Sequence, residues 1–153
     1  MLNVLISSRF FSDGFDIGTP VGEFSTNRRF RSDECLIFNP SGNQIARVWP
    51  GSHASRVYNI IITGGGFYEF GRDKKSRRAW ICKGEGKLFS MSKQRKRRFI
   101  LSDGTQQIAE CKKAWWTGDY AITVFDDADL KLVVCIFIAM HLNEHQGSDV
   151  PID

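Results

Sequence analysis

The chain has 153 residues, of which 42% are hydrophobic and 25% are charged. This length suits one domain of ordinary size, and this balance excludes an intrinsically disordered chain because it supplies enough apolar side chains for a core. We therefore expect a single domain over residues 1–153, with residues 146–153 as a short C-terminal tail. The net charge of +4 is concentrated in residues 72–78 (RDKKSRR) and 93–98 (KQRKRR), which together hold ten of the 21 basic residues.

The four cysteines indicate a reducing compartment. Cys35, Cys82, Cys111 and Cys135 form no C-x-x-C pair, and each lies among apolar or β-branched neighbours. Cysteines in such surroundings behave as small buried hydrophobic side chains. The N-terminal sequence MLNVLISSRFF lacks the basic region and the cleavage pattern of a secretory signal. We expect a cytoplasmic protein.

Short apolar or alternating runs, separated by turn signals, predict an antiparallel all-β barrel or sandwich. The turn signals include NPSGN at 39–43, GGG at 64–66 and SDGT at 102–105. Their residues accept positive φ or bond to their own backbone, so they reverse the chain at low cost. The predicted strands are 2–7, 20–25, 34–38, 44–49, 56–62, 66–71, 78–83, 86–91, 97–102, 106–112 and 119–125.

An internal repeat supports the prediction of hairpins. Residues 36–48 (LIFNPSGNQIARV) resemble residues 99–111 (FILSDGTQQIAEC), and the QIA of 44–46 recurs at 107–109. Further along, the strand that begins at Tyr58 matches the one that begins at Tyr120. Because a repeat of this length cannot bury its apolar face alone, we expect the two copies to share one core.

Residues 126–145 (DDADLKLVVCIFIAMHLNEH) differ from everything before them. They contain no glycine or proline, and Asp126 and Asp127 suit a helix N-terminus, where carboxylates favour the positive end of the dipole. The uninterrupted apolar run covers only residues 132–140, well short of the ~20 residues that a membrane-spanning helix needs. We predict a helix that is apolar on nearly every side and therefore surrounded by protein. Its β-branched residues leave a central strand as the alternative.

Several of these segments together resemble the tubby C-terminal-like fold, in its LURP-one-related and phospholipid scramblase-like branch. They are the hairpin at 99–111, the KKAW of 112–115, the YAITV of 120–124, the acidic DDAD of 126–129 and the apolar run of 130–140. The resemblance covers most of the chain and is strongest over 34–142. It implies a mainly β fold, a closed antiparallel barrel of about twelve strands around a central hydrophobic C-terminal helix.

The same resemblance implies a non-enzymatic binding module that recognises an anionic membrane phospholipid or a protein partner. No site residue is carried over from the family, because the phosphoinositide-binding residues of tubby do not match positions here. The palmitoylated cysteine cluster and the proline-rich arm of scramblases are absent from the sequence.

The two basic segments are the candidate ligand-binding residues, because clustered positive charge attracts polyanions. The alternative is that they are solvated hairpin tips, where lysines also protect sheet edges. Residues 93–98 contain no aromatic side chain for base stacking, which argues against nucleic acid. An anionic lipid ligand would place the cytoplasmic protein peripherally at a membrane. The candidates are Lys74, Lys75, Arg77, Arg78, Lys93, Arg95, Lys96, Arg97 and Arg98.

The segment HLNEH at 141–145 spells H-x-x-E-H, a zinc-peptidase pattern in which two histidines share a helix face and the glutamate activates a metal-bound water. A small metal-dependent hydrolase using His141, Glu144 and His145 is therefore one alternative function. A structural or regulatory protein-interaction domain with no small ligand is the other. That chemistry needs a third protein ligand, and the remaining histidine, His53, lies in a Pro-Gly-Ser turn. We predict no metal, no cofactor and no catalytic residue.

Overall fold

Twelve antiparallel strands form a closed barrel in the computed structural model of the protein, which describes residues 1–8, 14–29, 34–51, 57–76, 78–114, 117–125 and 130–145. Each strand pairs with its neighbours in chain order, and the first pairs with the last to close the barrel. One helix follows the strands. The elements are β1 Leu2–Ser8, β2 Phe15–Thr19, β3 Gly22–Arg29, β4 Glu34–Phe38, β5 Gln44–Pro50, β6 Tyr58–Ile62, β7 Gly66–Arg72, β8 Ala79–Gly84, β9 Lys87–Lys93, β10 Arg98–Asp103, β11 Gln106–Lys113, β12 Tyr120–Val124 and α1 Leu130–His145.

The alternation of side chains along each strand separates the core from the outer surface. In β6, Tyr58, Ile60 and Ile62 are buried, whereas Ile61 is exposed. Successive side chains of a strand point to opposite faces, so one set fills the barrel and the other lines its outside. The alternation predicted from the sequence is thus the pattern of a barrel wall.

The helix α1 occupies the interior of the barrel. Every residue from Leu132 to Met140 is buried, which requires protein on all sides of the helix. This confirms the predicted buried helix over the central strand. Among the described residues no helix has both the length and the apolarity needed to cross a membrane. The predicted capping residues at 126–129 and the tail at 146–153 lie outside the described residues.

Three consecutive strands, β4–β6, correspond to three others, β10–β12, as the internal repeat predicted. The hairpin β4–β5 corresponds to β10–β11, and both carry a β-bulge at the isoleucine of the QIA segment, opposite the step from Ile37 to Phe38 in one and from Leu101 to Ser102 in the other. The bulges leave the isoleucines of the two QIA segments, Ile45 and Ile108, without a register partner. Each of these isoleucines is buried beside a buried alanine, and its carbonyl accepts a backbone N–H, from Thr63 at 2.9 Å and from Phe125 at 2.8 Å.

The first part of the chain departs from the predicted strand boundaries. The sequence predicted eleven strands and missed β2, and the strand predicted at 20–25 begins in the turn between β2 and β3. Pro20 lies in that turn because proline has no N–H for a ladder hydrogen bond. Gly18 inside β2 and Pro20 directly after it hide the short strand pattern of Phe15–Thr19.

Candidate anion-binding site at one end of the barrel

The two basic segments meet at the same end of the barrel. Because consecutive strands run in opposite directions, the turn after β7 and the turn after β9 emerge on one side. The backbone N–H of Lys93 donates to the carbonyl of Arg78 at 2.8 Å and joins the two turns. The helix α1 also ends here, where the Trp80 indole N–H donates to Asn143 Oδ1 at 3.3 Å. We call this side of the barrel the basic end.

All the predicted ligand-binding residues that the structure describes lie at the basic end and are exposed. They are Lys74, Lys75, Arg78, Lys93, Arg95, Lys96, Arg97 and Arg98, whereas Arg77 lies outside the described residues.

Arg98 differs from the others because it is paired along the barrel wall. Its Nε lies 2.5 Å from Glu110 Oε1, and this hydrogen bond lowers the pKa of the Glu110 carboxyl. Arg98 therefore contributes less free positive charge than its neighbours.

The carboxylates beside the basic turns are already engaged. Asp73 accepts the backbone N–H of Lys75 at 3.0 Å and so shapes the turn after β7. Glu144, in the last turn of α1, lies 3.7 Å from the ammonium group of Lys113. Within the described residues, Lys74, Lys75, Arg95 and Lys96 have no carboxylate partner. The basic end thus carries a net positive field that an anion can enter.

A cleft of about 410 Å³ opens between the two basic turns and the end of α1. Its inner wall includes Arg72, which follows the buried Tyr68 and Phe70 on the inward face of β7. The Arg72 guanidinium carbon lies 5.6 Å from the centroid of the Trp80 ring. The cleft is lined by Arg72, Arg78, Trp80, Lys93, Gln94, Arg95, Lys96, Arg97 and Glu144.

Arg72 begins the first basic segment but was not among the predicted ligand-binding residues. Its Nε is buried and has no hydrogen-bond partner among the described residues. A buried donor without a partner costs about 1–3 kcal/mol, so an acceptor that enters the cleft gains from meeting it. The alternation Tyr68, Phe70, Arg72 was the available signal, since it places an arginine on the inward face at the end of a strand.

The turn before β10 holds two basic residues in a conformation that L-residues rarely adopt. Lys96 has φ 59° and ψ 37°, and Arg97 has φ 58°. Glycine or asparagine normally occupies such left-handed positions. A second recess, of about 530 Å³, lies on the other side of the same turn and is lined by Gln94, Arg95, Lys96, Arg98, Ile100 and Lys112. The turn therefore stands between two concave basic surfaces.

The H-x-x-E-H segment is part of the last turns of α1. The structure places His141 Nδ1 3.1 Å from the Tyr120 hydroxyl, and its ring packs edge-on against Phe15 at 5.0 Å. Glu144 faces Lys113, while the side chain of His145 and the whole of His53 lie outside the described residues. Within the described part of the chain, no three His, Cys, Asp or Glu side chains come together as metal ligands. The described geometry gives His141 a packing role at the barrel mouth.

The four cysteines are buried inside the barrel, as the sequence predicted. Burial raises the pKa of the Cys82 thiol to about 12 and also raises the pKa values of Cys111 and Cys135. A thiol must lose its proton to act as a nucleophile or a metal ligand. At neutral pH these three side chains are protonated hydrophobic groups.

The protein is a closed twelve-stranded antiparallel barrel with an internal helix, and its candidate site is the basic end. No protein family, no curated protein and no solved structure matches this chain. The resemblance to the tubby-like and scramblase-like proteins stays a prediction from the sequence.

Proposed function

We propose that the protein is a non-enzymatic binding module that attaches to anionic phospholipid membranes through its basic end. The observation that carries the proposal is the convergence of the two basic turns, which the β8–β9 hairpin separates in sequence, onto one surface joined by the backbone hydrogen bond between Lys93 and Arg78. Near an anionic membrane each basic side chain contributes about 1 kcal/mol. Several such side chains acting together give stable peripheral attachment to the cytoplasmic face of a membrane.

Two features distinguish this surface from ordinary solvated hairpin tips. Lys96 and Arg97 occupy two successive left-handed positions without a glycine, whereas in the β8–β9 turn the left-handed Glu85 is followed by Gly86. Arg72 lines the cleft, and its buried Nε has no hydrogen-bond partner among the described residues. A merely solvated tip gains nothing from either arrangement. A surface that receives an anionic headgroup gains positive charge from the first feature and a hydrogen-bond donor from the second.

Co-sedimentation of the protein with vesicles tests the proposal. We expect binding to vesicles of phosphatidylcholine mixed with phosphatidylserine and none to vesicles of phosphatidylcholine alone. Binding should fall steeply as salt rises past about 0.15 M, because exposed charges are then screened beyond about 8 Å. If the protein ignores phosphatidylserine vesicles even at low salt, the membrane proposal fails.

A further inference from the structure

An apolar groove of about 450 Å³ lies on the outer wall of the barrel, beside the turn after β7. Gly71 and Ile81 are register partners on β7 and β8, and Val57 precedes β6 on the other side of Gly71. Together they form an apolar row across three neighbouring strands. Leu88, which is 58% exposed, extends this apolar surface along the wall. The groove is lined by Val57, Glu69, Phe70, Gly71, Arg72, Asp73, Lys74, Lys75, Ile81, Lys83 and Leu88.

Gly71 opens the groove, although the backbone conformation at this position does not require glycine. It is not among the glycines with positive φ, so its conformation is open to any residue. An added Cβ would meet only Val57 Cγ2, at 3.4 Å. Glycine inside a strand weakens the strand, and it often marks a place where a ligand or another chain approaches closely. The absence of a side chain at Gly71 therefore leaves space between Val57 and Ile81 into which another molecule can fit.

The rim of the groove is basic. Lys74, Lys75 and Lys83 surround the apolar floor and are exposed. Of the two carboxylates in the lining, Asp73 accepts the Lys75 backbone N–H and Glu69 lies opposite Lys83 in the register. Within the described residues, Lys74 and Lys75 have no carboxylate partner, so the rim attracts negative charge.

We infer that this groove is a docking site for a protein partner, and that the docked segment carries a bulky apolar side chain flanked by carboxylates. The apolar side chain fills the space over Gly71, where it contacts Val57 and Ile81, and the carboxylates meet the lysines of the rim. Apolar anchors in a pocket with a polar rim are the usual arrangement at protein interfaces. The inference goes beyond the proposed membrane attachment, because the groove lies on the barrel wall and uses different side chains for its floor.

Selection of peptides from a random display library tests this inference. The library is selected on the wild-type protein and counter-selected on Gly71→Val, which fills the groove. We expect the enriched peptides to share an apolar residue flanked by Asp or Glu. In fluorescence anisotropy they should bind Gly71→Val and Lys83→Glu at least about tenfold more weakly than wild type. If nothing is enriched, or if the enriched peptides are basic or lack an apolar residue, the inference is wrong.

Matched variants separate the groove from general effects of substitution. Gly18→Val makes the same change at a strand glycine where an added Cβ would have no neighbour within 4 Å, and Lys87→Glu reverses an exposed lysine at the other end of the barrel. Both should bind the selected peptides as wild type does. An equal loss of peptide binding in these two controls would overturn the inference. A concentration-dependent dimer of the wild type that Gly71→Val abolishes would also overturn it, since a second copy of the chain would then fill the groove. Vesicle binding by Gly71→Val should match wild type, so failure of this inference is distinguishable from failure of the membrane proposal.

Discussion

Lys96 and Glu85 occupy equivalent backbone conformations at opposite ends of the barrel. Lys96 has φ 59° in the turn before β10, and Glu85 has φ 51° in the turn between β8 and β9. Each L-residue in this region costs roughly 1–2 kcal/mol relative to a right-handed conformation. In the turn of Glu85 the next residue is Gly86, whereas in the turn of Lys96 the next residue is Arg97, also at positive φ. The basic end therefore carries more conformational strain, and it carries it at two basic residues.

Replacing Lys96 with glycine should stabilise the protein and weaken its membrane binding at the same time. Relief of the left-handed conformation is worth about 1 kcal/mol after the entropy of glycine is counted, which raises Tm by about 2–4 °C. Loss of one cation near the membrane should weaken vesicle binding by about fivefold. Thermal unfolding and co-sedimentation measure the two effects on the same sample.

Two controls separate charge from conformation in that experiment. Lys96→Ala removes the charge but keeps a Cβ at positive φ, so it should weaken binding without raising Tm. Glu85→Gly relieves the same conformation away from the basic end but also removes the hydrogen bond from the Phe67 backbone N–H to Glu85 Oε1 at 3.0 Å, so it should leave vesicle binding unchanged with little gain in Tm. A Lys96→Gly protein that binds vesicles like wild type would show that Lys96 does not contact the membrane.

At the scale of elements, α1 determines whether the barrel has a core. Ile136 lies in the middle of the helix and is fully buried. An unpaired charge there costs several kcal/mol against a total stability of about 5–15 kcal/mol. We expect Ile136→Asp to give no soluble folded protein, whereas Lys131→Asp, at an exposed position of the same helix, should be soluble. Expression followed by circular dichroism measures both, and a folded Ile136→Asp protein would contradict the central position of the helix.

The sequence predicted those elements whose signals are local. The hairpin β10–β11 was predicted because Gly104, at φ 61°, marks its turn between two apolar runs. The helix was predicted because its apolar run has no polar face. The strand β2 was missed because Gly18 interrupts its short pattern and Pro20 follows directly after it. Most of the fold could therefore be predicted from local signals in the sequence.

The site was only partly predictable for a different reason. The basic residues themselves were identified from their clustering, but their meeting at one end depends on the direction of each strand in the closed barrel. The groove over Gly71 depends on the register of three strands. These relations arise from pairing between strands, so they become visible only once the fold is known.

At the scale of the whole molecule, the interior thiols and Tyr120 make stability sensitive to alkaline pH. Burial raises the pKa values of Cys82, Cys111, Cys135 and Tyr120 above their ordinary values of 9.0 for the thiols and 10.0 for tyrosine. The folded protein keeps these protons, whereas the unfolded chain releases them above pH 9. Stability is therefore unaffected below about pH 8 and falls as pH rises further.

Urea unfolding under reducing conditions should show this loss directly. Each unfolded thiol contributes about 1.4 kcal/mol of destabilisation at pH 10, so the three thiols together lower the free energy of unfolding by about 4 kcal/mol relative to pH 8. The Cys82→Ala protein should be less stable at both values of pH. The difference in its free energy of unfolding between pH 8 and pH 10 should be about one third smaller than in the wild type. A free energy of unfolding that is equal at pH 8 and pH 10 would mean that these thiols are accessible to solvent.

The most direct test of membrane attachment by the basic end compares two charge reversals that change the net charge equally. Lys75→Glu with Arg95→Glu removes positive charge from the basic end, and Lys87→Glu with Lys131→Glu removes it from the opposite end; all four positions are exposed. Both proteins have a net charge of zero instead of +4. At about 1 kcal/mol for each lost attraction and each new repulsion, the first pair should weaken binding to phosphatidylserine vesicles by about 1,000-fold, and the second pair by far less. Equal loss of binding by the two pairs would contradict a specific role for the basic end.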